Sequence, residues 1–144
     1  MSSPIAHPSD VATLDSIVHA LYAVISGPAG RQRDWDRFRS LFQAHGRLIL
    51  IVSVPGEKAR ARFLSPEDFI RRVEPIFAAE DFWERESSRQ TDTFGHVAHV
   101  LSSYESLRSP NDVPFERGTN SLQLFNDGSR WWIVSVMWNT SRTA

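Results

Sequence analysis

The chain has no cysteine among its 144 residues, which excludes a disulfide, a thiolate nucleophile and a thiolate-rich metal site. Tyrosine is nearly absent, so phenol chemistry has only Tyr22 and Tyr104 to draw on. A surplus of one charge is missing too: 16 basic and 17 acidic side chains leave a net charge of −1, too little to gather a polyanion or hold the chain on an anionic surface. Neither nucleic acid nor a membrane is expected as a partner. No apolar run approaches a bilayer span, and the opening Met1 to Asp10 lacks the basic and apolar segments of a secretory leader, so a cytoplasmic protein is expected. Phosphate-binding glycine loops, nucleophile elbows and helical zinc motifs are all absent, and no cofactor or metal is expected. What remains is 41% hydrophobic and 23% charged. That suffices for one domain over residues 1–144 with an ordered core from about 9 to 140.

Val11, Leu14, Val18, Leu21 and Ile25 recur at three- and four-residue steps with Ile17 and Val24 beside them. This predicts an amphipathic helix from Ser9 or Asp10 to a stop at Gly27-Pro28. Trp35, Phe38, Leu41 and Phe42 repeat the spacing behind Asp34, a second, short helix with Gly46 expected in a left-handed terminal conformation. Arg47 to Val54, the Pro55-Gly56 turn, and Lys58, Arg60 and Arg62 alternating with Ala59, Ala61 and Phe63 read as a hairpin. Its charged face suits a solvated edge strand. Ser65-Pro66-Glu67-Asp68 opens a third helix whose apolar face is Phe69, Val73, Ile76 and Phe77; a kink or restart is expected at Pro75, which cannot donate to residue 71.

Extended stretches then follow: Phe82 to Thr93, Val97 to Leu107, Phe115 to Phe125 and Arg130 to Thr140, separated by Gly-, Pro- and Asn-rich turns. Helices first and strands later mean an α+β domain, with the three helices packed on one face of a curved antiparallel sheet. On that element order, on the segment Asp34-Trp35-Asp36-Arg37-Phe38-Arg39-Ser40-Leu41-Phe42, and on the closing hairpin Arg117 to Phe125 with Arg130 to Ser135, the chain resembles the nuclear transport factor 2-like superfamily. The resemblance runs from about Asp10 to Asn139. These cone-shaped, cystatin-like α+β barrels include ketosteroid isomerase, scytalone dehydratase, limonene epoxide hydrolase and SnoaL-like cyclases. The resemblance implies a pocket for a small, mostly apolar metabolite between helices and sheet, and a homodimer formed through the convex face. It implies no single activity, because the superfamily also holds adaptors and binding modules. No Asp is matched to Tyr104 as a ketosteroid isomerase would require, and no Asp-Arg-Asp arrangement is found, so neither chemistry is transferred.

If Asp127-Gly128 is a two-residue loop, Asn126 opposes Ser129 and Asn120 opposes Ser135. Asn120 and Ser135 then form a polar island beside Leu122, Leu124, Trp131, Ile133 and Met137 on the pocket face, which also carries Glu116 and Asn139, able to hold a carbonyl or hydroxyl or simply to bond each other. Trp35 and Phe38 join Asn120, Leu122 and Ser135 as expected ligand contacts. Arg117, Gln123, Trp132, Val134 and Trp138 fall on the other face as a dimer interface, with Arg117 over Trp138 as a cation–π anchor. For catalysis the candidates are Glu86, His99 and Tyr104. Glu84 and Glu86 share one strand face, with Arg85 and Arg89 on the other, and a carboxyl in a dry pocket can act as a base. His99 could be a general base or a structural histidine; His96 and His99 are three apart on a strand and cannot chelate one ion. The competing expectation is a non-catalytic protein association module that uses the convex sheet face.

Overall fold

Segregation of helices and strands holds in the computed structural model, which describes residues 4–139. The elements are α1 (Pro8–Val11), α2 (Leu14–Ile25), α3 (Trp35–Ser40), β1 (Phe42–Val52), β2 (Arg60–Leu64), α4 (Pro66–Ala79), β3 (Trp83–Phe94), β4 (Val97–Leu107), β5 (Glu116–Asn126) and β6 (Trp131–Asn139). Thr140, the expected end of the last strand, lies outside the described residues.

The expected first helix is two. Thr13 adopts an extended conformation and caps α2, its hydroxyl accepting from the Ser16 amide at 3.0 Å while the Ser16 hydroxyl accepts from the Thr13 amide. A reciprocal cap of this kind starts a helix wherever its spacing occurs. The Ser65 cap of α4 forms as read, with Asp68 as its partner. That helix carries Pro75 within a single element, with no restart. Gly46 does not end α3. β1 has already begun at Phe42, and Gly46 sits in an irregular stretch where an added Cβ would lie 3.0 Å from the Gln43 carbonyl oxygen.

One six-stranded sheet runs in the order β2-β1-β6-β5-β4-β3. It is mixed rather than wholly antiparallel, because β1 pairs parallel to β6, while every other pairing is antiparallel. The charged alternation of Arg60 and Arg62 does sit on an edge strand, β2. Ile17, Val18, Phe38 and Leu41 from the helices and their ends meet Phe42, Val100, Leu122, Leu124 and Ile133 of the sheet in one core. Each is essentially inaccessible, and such burial stabilises by about 1.5–3 kcal/mol per large side chain. Among the described residues no helix is long and apolar enough to cross a membrane.

The closing hairpin departs from the expected register. Asp127 Oδ1 accepts from the amides of Ser129 and Arg130 at 2.7 and 3.0 Å, which widens the turn so that Asn126 faces Trp131. Further along, Gln123 faces Ser135 and Leu124 faces Ile133, leaving Val134 as an extra residue. A bulge of this kind reverses which side later residues point to. Asn120 therefore pairs with Trp138 instead of Ser135, and from Ser135 onward the expected faces of β6 are exchanged.

Candidate functional site

A cavity of about 250 Å³ lies between α2, α4 and the inner face of the sheet. That is below the roughly 300–1,000 Å³ common for drug-sized ligands, so it suits a small one. Its wall is mostly apolar and aromatic, including Leu21, Phe38, Phe69, Phe77, Val136 and Trp138. Phe69 stacks on Phe38 at 5.4 Å and stands edge-on to Trp138 at 6.2 Å, contacts that fix the wall's shape. Into this wall are set Glu84, Tyr104, Ser106, Glu116 and Asn120.

Glu84 is delivered by a stitch between helix and sheet. The Ser26 hydroxyl at the end of α2 accepts from the Glu84 amide at 3.0 Å. One residue on, Gly27 and Phe82 exchange backbone bonds of 2.7 and 3.0 Å. Strand alternation then turns the Glu84 side chain inward. Burial raises its carboxyl to about 8; a 3.3 Å bond from the Ser106 hydroxyl opposes the rise, and the nearby Glu116 charge adds to it. What surface Glu84 keeps faces this cavity and a polar cleft behind it.

Tyr104 is 5% exposed. Its ring covers Gly118, where a Cβ would fall 2.4 Å from the phenol oxygen, so only glycine leaves room for it. Its hydroxyl bonds no described residue. Since no fully buried side-chain oxygen among the described residues lacks a partner, the accessible part of that hydroxyl opens on the cavity it lines. Burial pushes its pKa upward, with Glu84, Glu116 and Tyr22 adding to the shift, so the phenol keeps its proton and can donate.

Behind this wall runs a polar chain. Asn120 Nδ2 donates to the Tyr22 oxygen at 3.0 Å, Tyr22 meets Ser102 at 2.7 Å, and the Ser102 hydroxyl donates to Glu86 Oε2 at 2.5 Å. Glu86 is clasped by Arg89, with Nη2 at 2.8 Å and Nε at 3.0 Å, and Arg89 also pairs with Asp15. Glu86, Arg89 and Asp15 border the polar cleft, together with Ser16 and His19.

The residues singled out from the sequence are thus dispersed. Phe38, Asn120 and Tyr104 line the cavity. Trp35 stacks on Phe77 behind the wall at 6.3 Å, and Leu122 is fully buried core. Glu86 belongs to the cleft, where it is neutralised by Arg89 and is not free to act in the cavity. Arg89 was expected across the strand from Glu86, but a bulge between Glu86 and Ser88 brings it to the same side. Arg85 stays outside and bonds Glu105 at 3.1 Å.

His99 projects from the outer face, opposite Gln123, and its Nε2 lies 3.0 Å from Ser121 Oγ, a structural setting away from the cavity. The β6 bulge turns Ser135 outward beside Gln123 and turns Trp138 into the cavity wall, which removes Ser135 from the expected contacts and Trp138 from the expected interface. Arg117 bonds Glu105 at 3.3 Å instead of covering Trp138. Trp132 is held by Asp127 at 2.9 Å and lies beneath the Arg130 guanidinium at 3.5 Å. Trp138 and Ser106 are cavity residues that the sequence reading did not place there, whereas Glu116 lines it from the face expected.

No protein-family model and no curated protein matches the chain. Solved structures do. A protein of unknown function with a cystatin-like fold from Nostoc punctiforme superposes with a TM-score of 0.68 at 7% identity, covering 92% of this chain and 91% of that one. A nuclear transport factor 2-like protein of unknown function from Silicibacter pomeroyi gives 0.58 at 22% identity over 90% and 93%. A candidate dehydratase of the same fold family from Streptomyces avermitilis gives 0.62 at 15% identity over 92% and 96%.

Proposed function

The chain has a nuclear transport factor 2-like fold, and on that premise we propose that it binds a small, mostly apolar metabolite in the interior cavity and performs cofactor-free acid–base chemistry on it, with Glu84 as the proton-transferring group. One observation carries this reading: a desolvated carboxyl, raised to about 8, set in an apolar cavity. Such a group holds its proton at neutral pH yet stays close to the working pH, the condition for efficient general acid–base catalysis. Tyr104 supplies a hydroxyl in the same cavity that can stabilise charge developing on a ligand oxygen. Isomerisation, cyclisation, dehydration and hydrolysis all fit this equipment. Dehydration leads the set to screen, because a neighbour of the same fold is described as a candidate dehydratase.

A screen of small hydroxylated and carbonyl compounds, with Trp138 fluorescence as the binding signal, tests the reading. Glu84→Gln is expected to bind the hit and to lose about 10²–10⁴-fold in turnover. Full turnover by that variant would remove Glu84 from the mechanism.

A homodimer through the outer sheet face belongs to the same reading. Leu101, Val134 and Met137 stand exposed there among short polar side chains, the mixture found where sheets associate. The same patch supports the second reading, a non-catalytic association module. Met137→Glu should convert a dimer to monomer in sedimentation velocity; a wild-type monomer would sink the dimer.

A further inference from the structure

The polar chain behind the cavity has a direction, and the direction can be derived. Glu86, as the carboxylate partner of Arg89, can only accept. Ser102 has one proton and spends it on Glu86, so its oxygen must accept from Tyr22. Tyr22 likewise has one proton and spends it on Ser102. Its own oxygen can then only accept from Asn120, which fixes the amide with Nδ2 toward Tyr22. Burial holds the Tyr22 phenol to about 12, which keeps the proton the chain requires.

Asn120 Oδ1 therefore points away from Tyr22. No described residue donates to it, and no unpartnered side-chain oxygen among the described residues is sealed from solvent. Asn120 is only 6% exposed and lines the cavity, so that oxygen opens on the cavity. It is an acceptor without a donor, in an apolar enclosure.

We infer that the cavity is built for a ligand carrying a hydroxyl group, whose O–H is taken by Asn120 Oδ1, and that Glu86 sets this preference from the cleft side as a positioning residue. The inference rests on the cavity being the binding site proposed above. An alcohol or phenol can give its proton to Asn120 and accept one from Tyr104. The matching ketone can only accept, leaving Oδ1 desolvated and unbonded.

The test uses 1-indanol and 1-indanone as probes, a pair that differs only at the oxygen, with binding followed by amide and indole proton–nitrogen spectra. Wild type is expected to favour the alcohol by about tenfold. In Glu86→Gln the new amide can donate to Ser102. The chain then reverses, Asn120 turns its NH₂ to the cavity, and the preference should vanish or invert. Tyr22→Phe cuts the chain without removing the ring and should also abolish the preference, which decides the matter if Glu86→Gln does not fold. Equal binding of both probes to wild type, or an unchanged tenfold ratio in the variants, would overturn the inference and leave the cavity reading standing. If neither probe moved the Trp138 indole signal, the cavity reading itself would fall, and the inference with it.

Discussion

Glu84 and Glu86 stand two residues apart on one face of β3, yet the structure gives them opposite circumstances. Glu84 borders an apolar cavity, has a neutral hydroxyl for company, and is raised to about 8. Glu86 borders a polar cleft, is gripped by Arg89, and accepts from Ser102. What separates them is the partner each meets. A desolvated carboxyl without a cation beside it keeps its proton, whereas the Glu86 oxygens are tied up by the Arg89 guanidinium. The first is equipped to move a proton, the second to orient its neighbours.

Three substitutions would break or sharpen that contrast. The largest effect is expected from Glu84→Gln. Folded Glu84 keeps a proton that the unfolded chain has released, so wild-type stability falls as pH rises from about 4.5 toward 8. Urea unfolding across that range should show the variant gaining on wild type by on the order of several kcal/mol; parallel curves would mean that Glu84 is not desolvated. Arg89→Met comes next. It strips Glu86 of its ion pair in a half-buried setting, and a loss of about 1–2 kcal/mol is expected in the same measurement. A loss no larger than an exposed pair gives would show that Glu86 is solvated and the contrast false. Asp15→Asn is expected to change stability by less than about 0.5 kcal/mol, because Asp15 is 91% exposed although it also pairs with Arg89. A larger effect would extend the ionic cluster to the helix surface.

The fold was legible because local signals agreed with it. The bounds of β4 and the Ser65 cap were read as they stand, each resting on alternation or a cap that no distant contact altered. Site residues were harder, since their placement depends on bulges. Val134 reverses β6, and it alone decides that Trp138 enters the cavity while Ser135 leaves it. The bulge after Glu86 likewise turns Arg89 against the very carboxylate it was expected to oppose. A strand pattern carries no mark of an extra residue when neighbouring positions on both faces are amphipathic, as Trp131 to Trp138 are. Asn120 and Tyr104 keep their places because β4 and β5 pair without a shift, so the alternation read along each strand holds. Glu84 was seen beside Glu86, but only the stitch of Ser26 and Gly27 to β3 sets it at the cavity.

The most direct measurement is the titration of the Glu84 side-chain carboxyl carbon by nuclear magnetic resonance, assigned by its loss in Glu84→Gln. The expected midpoint lies near 8 and shifts when a small apolar ligand enters the cavity. A midpoint near the ordinary 4.5, unmoved by ligand, would contradict it.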